Sequence, residues 1–86
     1  MLGHRVRVGR NRYKLDVSWP EAMLGLEYDG WDAHRSLTAF HRDRQRLRRL
    51  AAAGWTILPL TSKTDLHELV AEVAAVLTLR WHESTA

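Results

Sequence analysis

A chain of 86 residues with no cysteine has room for one domain, excludes a disulfide framework, and lacks the thiolates on which structural zinc sites mostly depend. Its longest apolar run, Leu69 to Leu79, is broken by Glu72, too short for the roughly 20 apolar residues of a membrane span. Arginines take the place of a signal peptide's apolar stretch near the start, so a cytoplasmic protein with no membrane partner is expected.

The net charge of +3 is modest but unevenly placed. Apart from Lys63 and Arg80, the basic residues lie between Arg5 and Lys14 or between Arg35 and Arg49. The acidic ones gather between Asp16 and Asp32 and again after Asp65. Basic stretches flanking an acidic segment suit a phosphate-rich partner met at a metal-holding centre.

In chain order, His4 to Val8 alternates basic and apolar residues, and Gly9-Arg10-Asn11 signals a turn. From Arg12 to Trp19, Tyr13, Leu15, Val17 and Trp19 alternate with Lys14, Asp16 and Ser18. This period of two predicts a β-hairpin with one buried face and Asp16 and Ser18 on the polar one. Trp19-Pro20 ends the second strand. Met23 to Tyr28 reads as a third strand, with Leu24, Leu26 and Tyr28 pointing one way and Gly25, Glu27 and Asp29 the other.

An amphipathic helix is predicted from Ser36 to Ala53. Leu37, Phe40, Leu47, Leu50 and Ala51 form its core stripe, Arg35, Arg42, Arg46 and Arg49 lie opposite, and Gly54 is its C-cap. Trp55 to Thr61 is apolar enough for a fourth strand, and Pro59 within it argues for an edge, a bulge or an early stop. Asp65 to Glu68 resembles a capping box opening a last helix to about Arg80, whose Leu66, Leu69, Val70, Val73 and Leu77 would face the core. Trp19 and Trp55 are expected in the core. The order β-β-β-α-β-α defines a mixed α/β (α+β) fold, an antiparallel meander followed by a helical crossover to a fourth strand.

If the second and third strands pair, Asp16, Glu27 and Asp29 can converge on one side of the sheet. Clustered carboxylates repel one another and are tolerated best around a cation. Oxygen-only ligands suit Mg²⁺, with Mn²⁺ a possible substitute and substrate phosphate completing the shell. Solvent-facing charges on a half-exposed sheet are the plainer alternative. The helix arginines, with Arg44 and Arg48, suit phosphate contacts, since only Asp43 interrupts their positive charge; a solvated helix face is the plainer alternative, and a structural or active-site role is the alternative for Arg46. Trp31 is placed to touch a base or cover the site, with core packing as the alternative.

The run Asp16-x-x-Trp19-Pro20, Leu26-Glu27-Tyr28-Asp29-Gly30-x-x-x-His34, Asp43-Arg44-x-Arg46 and Leu50-x-x-x-Gly54-Trp55 resembles the DUF559 family. These restriction-endonuclease-like domains are similar to the very-short-patch repair (Vsr) endonucleases, and the resemblance extends from about Tyr13 to Leu77. It implies a PD-(D/E)xK-type phosphodiesterase centre in which Asp16 and Glu27 hold Mg²⁺ against a scissile phosphate. Asp29 stands where the motif has its lysine. The repair enzymes also lack that lysine and use a histidine four residues after the glycine, a spacing that Gly30 and His34 reproduce. His34 would then assist water attack or protonate the leaving group, with Asp43 orienting it. Pro59 stands where many relatives carry an arginine.

Relatives also have a helix before the first strand. Its loss would expose apolar surface for a second copy, so a homodimer is expected. The function expected is a metal-dependent DNA endonuclease, nicking or cleaving with low specificity, with no small-molecule cofactor. A non-catalytic DNA- or RNA-binding module of the same fold is the alternative, and a protein-interaction domain a third.

Overall fold

The computed structural model of the chain describes residues 1–29 and 35–85. Its elements are β1 (Leu2–Val8), β2 (Asn11–Trp19), a 3-10 turn (Pro20–Ala22), β3 (Leu24–Tyr28), α1 (Leu37–Ala52), β4 (Thr56–Leu60) and α2 (Leu66–Thr85). The expected order β-β-β-α-β-α and the mixed sheet are thus both present. The strands lie side by side as β1-β2-β3-β4, antiparallel except for the parallel pair β3 and β4. A parallel pair needs a crossover, which α1 supplies.

Local chemistry sets the boundaries. Val8 pairs with Asn11, leaving Gly9-Arg10 as a two-residue hairpin loop. Gly9 takes φ +61°, the positive value that a II′-type loop needs at its first position. The Ser36 hydroxyl accepts from the Ala39 amide at 3.0 Å and caps α1. One carboxylate oxygen of Asp65 accepts from the amides of His67 and Glu68 at 2.9 and 3.2 Å, capping α2.

The sheet is covered on both faces. Beneath α1, Val6, Leu15 and Leu50 form the buried cluster, with Val8, Tyr13, Trp55 and Ile57 packed against it. Gly25 permits the close packing there, because a Cβ on it would lie 2.8 Å from Leu15 Cδ1 and 3.1 Å from Ile57 Cδ1. On the other side, α2 packs on the 3-10 turn, near buried Ala22, Leu24 and Leu69. Arg80 of α2 donates to the Gly54 carbonyl and the Thr56 hydroxyl at 3.0 and 3.3 Å.

Strand β4 is an edge, as Pro59 foretold. The Thr56 amide donates to Met23 O at 2.9 Å, and Leu60 O accepts from the Asp29 amide at 2.7 Å. Main-chain groups alternate in direction along a strand, so the Pro59 nitrogen faces the open side.

Several side chains depart from the expected pattern. Ser18 is fully buried, not on a polar face. It pairs with Gly25 and so shares the face on which Leu15 is also fully buried. Two residues three apart cannot share a face in an unbroken strand, so β2 departs from alternation between them. Leu37 and Phe40 of α1, expected in the core, are exposed, because the helix turns Arg46 and Arg49 toward the sheet instead. Leu66 and Val70 of α2 are also exposed, while Leu69 is buried. Trp19 and Trp55 are half-buried. Met23 lies before β3 in the left-handed region at φ 50°.

Candidate active site

The departure from alternation in β2 is what exposes the site. The ladder between β2 and β3 runs only from Trp19↔Leu24 to Val17↔Leu26. Beyond it, an Asp16 carboxylate oxygen, not a carbonyl, accepts from the Tyr28 amide at 2.9 Å. This bond anchors Asp16 next to Glu27 at the point where the strands part. Glu27 lies close enough to Asp16 to feel its negative charge.

Glu27 projects beneath α1. Its Oε1 accepts from Arg46 Nη1, while Arg46 Nε and Nη2 donate to Asp43 Oδ1 at 3.3 and 3.1 Å. The Glu27 and Arg46 side chains are only 14% and 21% exposed, so this is not a loosely solvated surface pair. Burial pushes the Glu27 pKa up; the hydrogen bond and charge of Arg46 oppose that shift, and neighbouring Asp16 adds to it. Burial also works against the Arg46 cation, but its bonds to Glu27 and Asp43 and their charges outweigh this and hold it above its ordinary value. Glu27 has one cation and one competing anion beside it, whereas Arg46 has two anions.

The remaining predicted residues are distributed around this centre. Asp29, expected to converge with Asp16 and Glu27, is paired with Arg35 at 3.1 Å and lines the same cleft as Glu27. Among the described residues, no three Asp, Glu or His side chains are grouped closely enough to hold a metal ion. Asp43 is placed by α1 to orient Arg46. His34 and Trp31, expected as proton carrier and base contact, lie outside the described residues.

The arginine stripe divides by direction. Arg42, Arg44 and Arg48 are exposed, with the Arg44 guanidinium 5.1 Å from the Phe40 ring centroid. Arg49 turns inward and donates to the Tyr13 hydroxyl at 3.1 Å. Sequence reasoning missed this Tyr13–Arg49 contact, and although it allowed Arg46 a structural or active-site role it did not foresee the bridge from Asp43 to Glu27. The i,i+3 spacing of Asp43 and Arg46 was the available signal for the second.

A cleft of about 360 Å³ opens over these groups, lined by charged Glu27, Asp29, Asp43, Arg35 and Arg46 and by apolar Leu47, Trp55, Ile57 and Pro59. Together with adjacent Asp16, its four carboxylates against two guanidiniums give a formal charge of −2. The fold and site therefore define a mixed α/β domain with an acidic, arginine-bridged centre where two strands diverge.

Two relatives share part of this sequence. The chain is 33% identical over 52 residues, 60% of its length, to an uncharacterized protein of Mycobacterium tuberculosis (strain CDC 1551 / Oshkosh). The same identity and coverage hold for an uncharacterized protein of Mycobacterium tuberculosis (strain ATCC 25618 / H37Rv). The chain spans 19% of the length of these relatives. No family model matches the chain, and no solved structure matches it.

Proposed function

We propose that this domain is a metal-dependent DNA endonuclease, nicking or cleaving with low sequence specificity. The observation that carries the reading is the juxtaposition of Asp16 and Glu27 where β2 and β3 part. Mg²⁺ is commonly held by one or two carboxylates plus substrate phosphates, so a third protein carboxylate is not required. The donor set fits, being hard oxygens in a cleft whose formal charge of −2 one divalent cation would balance. Asp16 and Glu27 would hold the ion, which when bound lowers the pKa of water and stabilises charge on phosphate oxygens.

The chain's own residues have separable roles. The Tyr28 amide fixes Asp16, and Asp43 fixes Arg46. Glu27 must be ionised to hold a cation, and burial together with Asp16 works against that. Exposed Arg42, Arg44 and Arg48 give the DNA backbone a cationic surface. His34 is the proposed proton carrier.

One observation favours a second reading. Arg46 already gives Glu27 a cationic partner, as a fold retained only for nucleic-acid binding would require. The deciding assay incubates supercoiled plasmid with the protein and Mg²⁺ or Mn²⁺, beside Asp16→Ala. Relaxation or linearisation that needs both metal and Asp16 supports the nuclease. Intact plasmid, with DNA binding that weakens steeply as salt rises, supports the binding module.

A further inference from the structure

Arg46 reaches the site by an arrangement that leaves it two anchors of unequal weight. A single N–H, from Nη1, goes to Glu27, whereas Nε and Nη2 both go to Asp43. Asp43 lies one helical turn earlier on the same helix, so that anchor is held locally. The anchor to Glu27 joins α1 to β3 and is made to a carboxylate already crowded by Asp16. A divalent ion at Asp16 and Glu27 would carry twice the charge of a guanidinium, and it would face Arg46 as a like charge.

We infer that Arg46 is a built-in competitor of the divalent cation. It occupies Glu27 until the ion displaces it, and Asp43 retains it once displaced. The inference rests on the metal-binding reading above. Displacement needs only the loss of the Nη1 bond, because the two bonds to Asp43 keep the guanidinium paired and spare it the cost of lying half-buried without an anion. The freed Nη1 is then a charged N–H donor beside the ion, suited to a phosphate oxygen. Arg46 thus sets the cation concentration at which the site loads and ties loading to the arrival of a phosphodiester.

The test titrates Mn²⁺ into the full chain and reads free Mn²⁺ by electron paramagnetic resonance, with far-ultraviolet circular dichroism on the same samples. Arg46→Met is expected to bind Mn²⁺ about tenfold more tightly than the unsubstituted chain, the size of one ion-pair coupling. Arg46→Gln keeps a neutral donor and should shift the same way, which keeps the comparison intact should the methionine variant fail to fold. Asp43→Asn should bind several-fold more weakly, since the displaced guanidinium then has no second anion. Asp16→Asn should abolish binding. Unchanged or weaker Mn²⁺ binding in folded Arg46 variants, with Asp16-dependent binding in the unsubstituted chain, overturns the competition and leaves the metal reading standing. Absence of Mn²⁺ binding in the unsubstituted chain and the Arg46 variants alike overturns both.

Discussion

The Glu27–Arg46 contact should show itself in stability, and a double-mutant cycle measures it. Arg46→Met leaves Glu27, only 14% exposed, beside Asp16 with no counter-charge. Removing one partner of a fully buried pair costs about 3–5 kcal/mol, and the residual exposure places this case at the lower end, about 3 kcal/mol. Glu27→Gln is milder. Arg46 keeps both bonds to Asp43, so one charge-assisted bond is lost, at about 1 kcal/mol, partly offset by removal of a desolvated carboxylate. With Gln at position 27, the further change Arg46→Met strands only Asp43, 30% exposed, at about 1 kcal/mol. The expected coupling is therefore about 2 kcal/mol. A chain of this length has about 4–13 kcal/mol in total, and Arg46→Met alone should lower Tm by about 12–24 °C. Urea and thermal unfolding of the four proteins, followed by circular dichroism without divalent cations, give the cycle. Additivity within about 0.3 kcal/mol would mean that the pair contributes nothing in solution and would refute the reasoning.

The pH dependence follows from the same group. Glu27 is held above its ordinary value of 4.5, so the native state binds its proton more tightly than the unfolded chain does. Stability should then fall as pH rises from that ordinary value through the raised native one, and Glu27→Gln should remove this slope. Arg46 adds none there, being charged in both states. Unfolding free energies of the two proteins across this range check the sign, and a gain in the unsubstituted chain relative to Glu27→Gln contradicts it. In the core, Gly25→Ala forces a methyl to within 2.8 Å of Leu15 Cδ1 and should cost about 2 kcal/mol. Leu15→Val in the same chain should restore part of this; if it adds its own cost in full, the clash is not the cause.

Much of the fold was legible because its signals are local. The glycine loop, the side-chain cap at Asp65 and the proline in β4 each act on the backbone of near neighbours. The faces were harder to read. Helix α2 is apolar on several sides, so periodicity could not choose between Leu69, which is buried, and Leu66 and Val70, which are not. In α1 the pattern turned Leu37 and Phe40 inward, but Glu27 and the Tyr13 hydroxyl draw Arg46 and Arg49 toward the sheet. Ser18 was placed by its polarity, whereas the break in β2 buries it. At the site, the proximity of Asp16 and Glu27 was readable from hairpin pairing. The capture of Asp29 by Arg35 and of Glu27 by Arg46 was not, because no single-strand pattern encodes where α1, or Arg35 just before it, sits relative to the sheet.

The proline of β4 has a consequence for assembly. An open sheet edge invites a further strand from any passing chain, and proline or charge along that edge discourages it. Pro59 has no N–H to offer on the open side of β4, and the opposite margin, β1, carries exposed Arg5 and Arg7. Strand-to-strand growth is thus disfavoured at both margins, and the sheet is kept to four strands. Any copy-to-copy contact would therefore form more readily across helices, where Leu66, Val70 and Leu79 are exposed, than by lengthening the ladder.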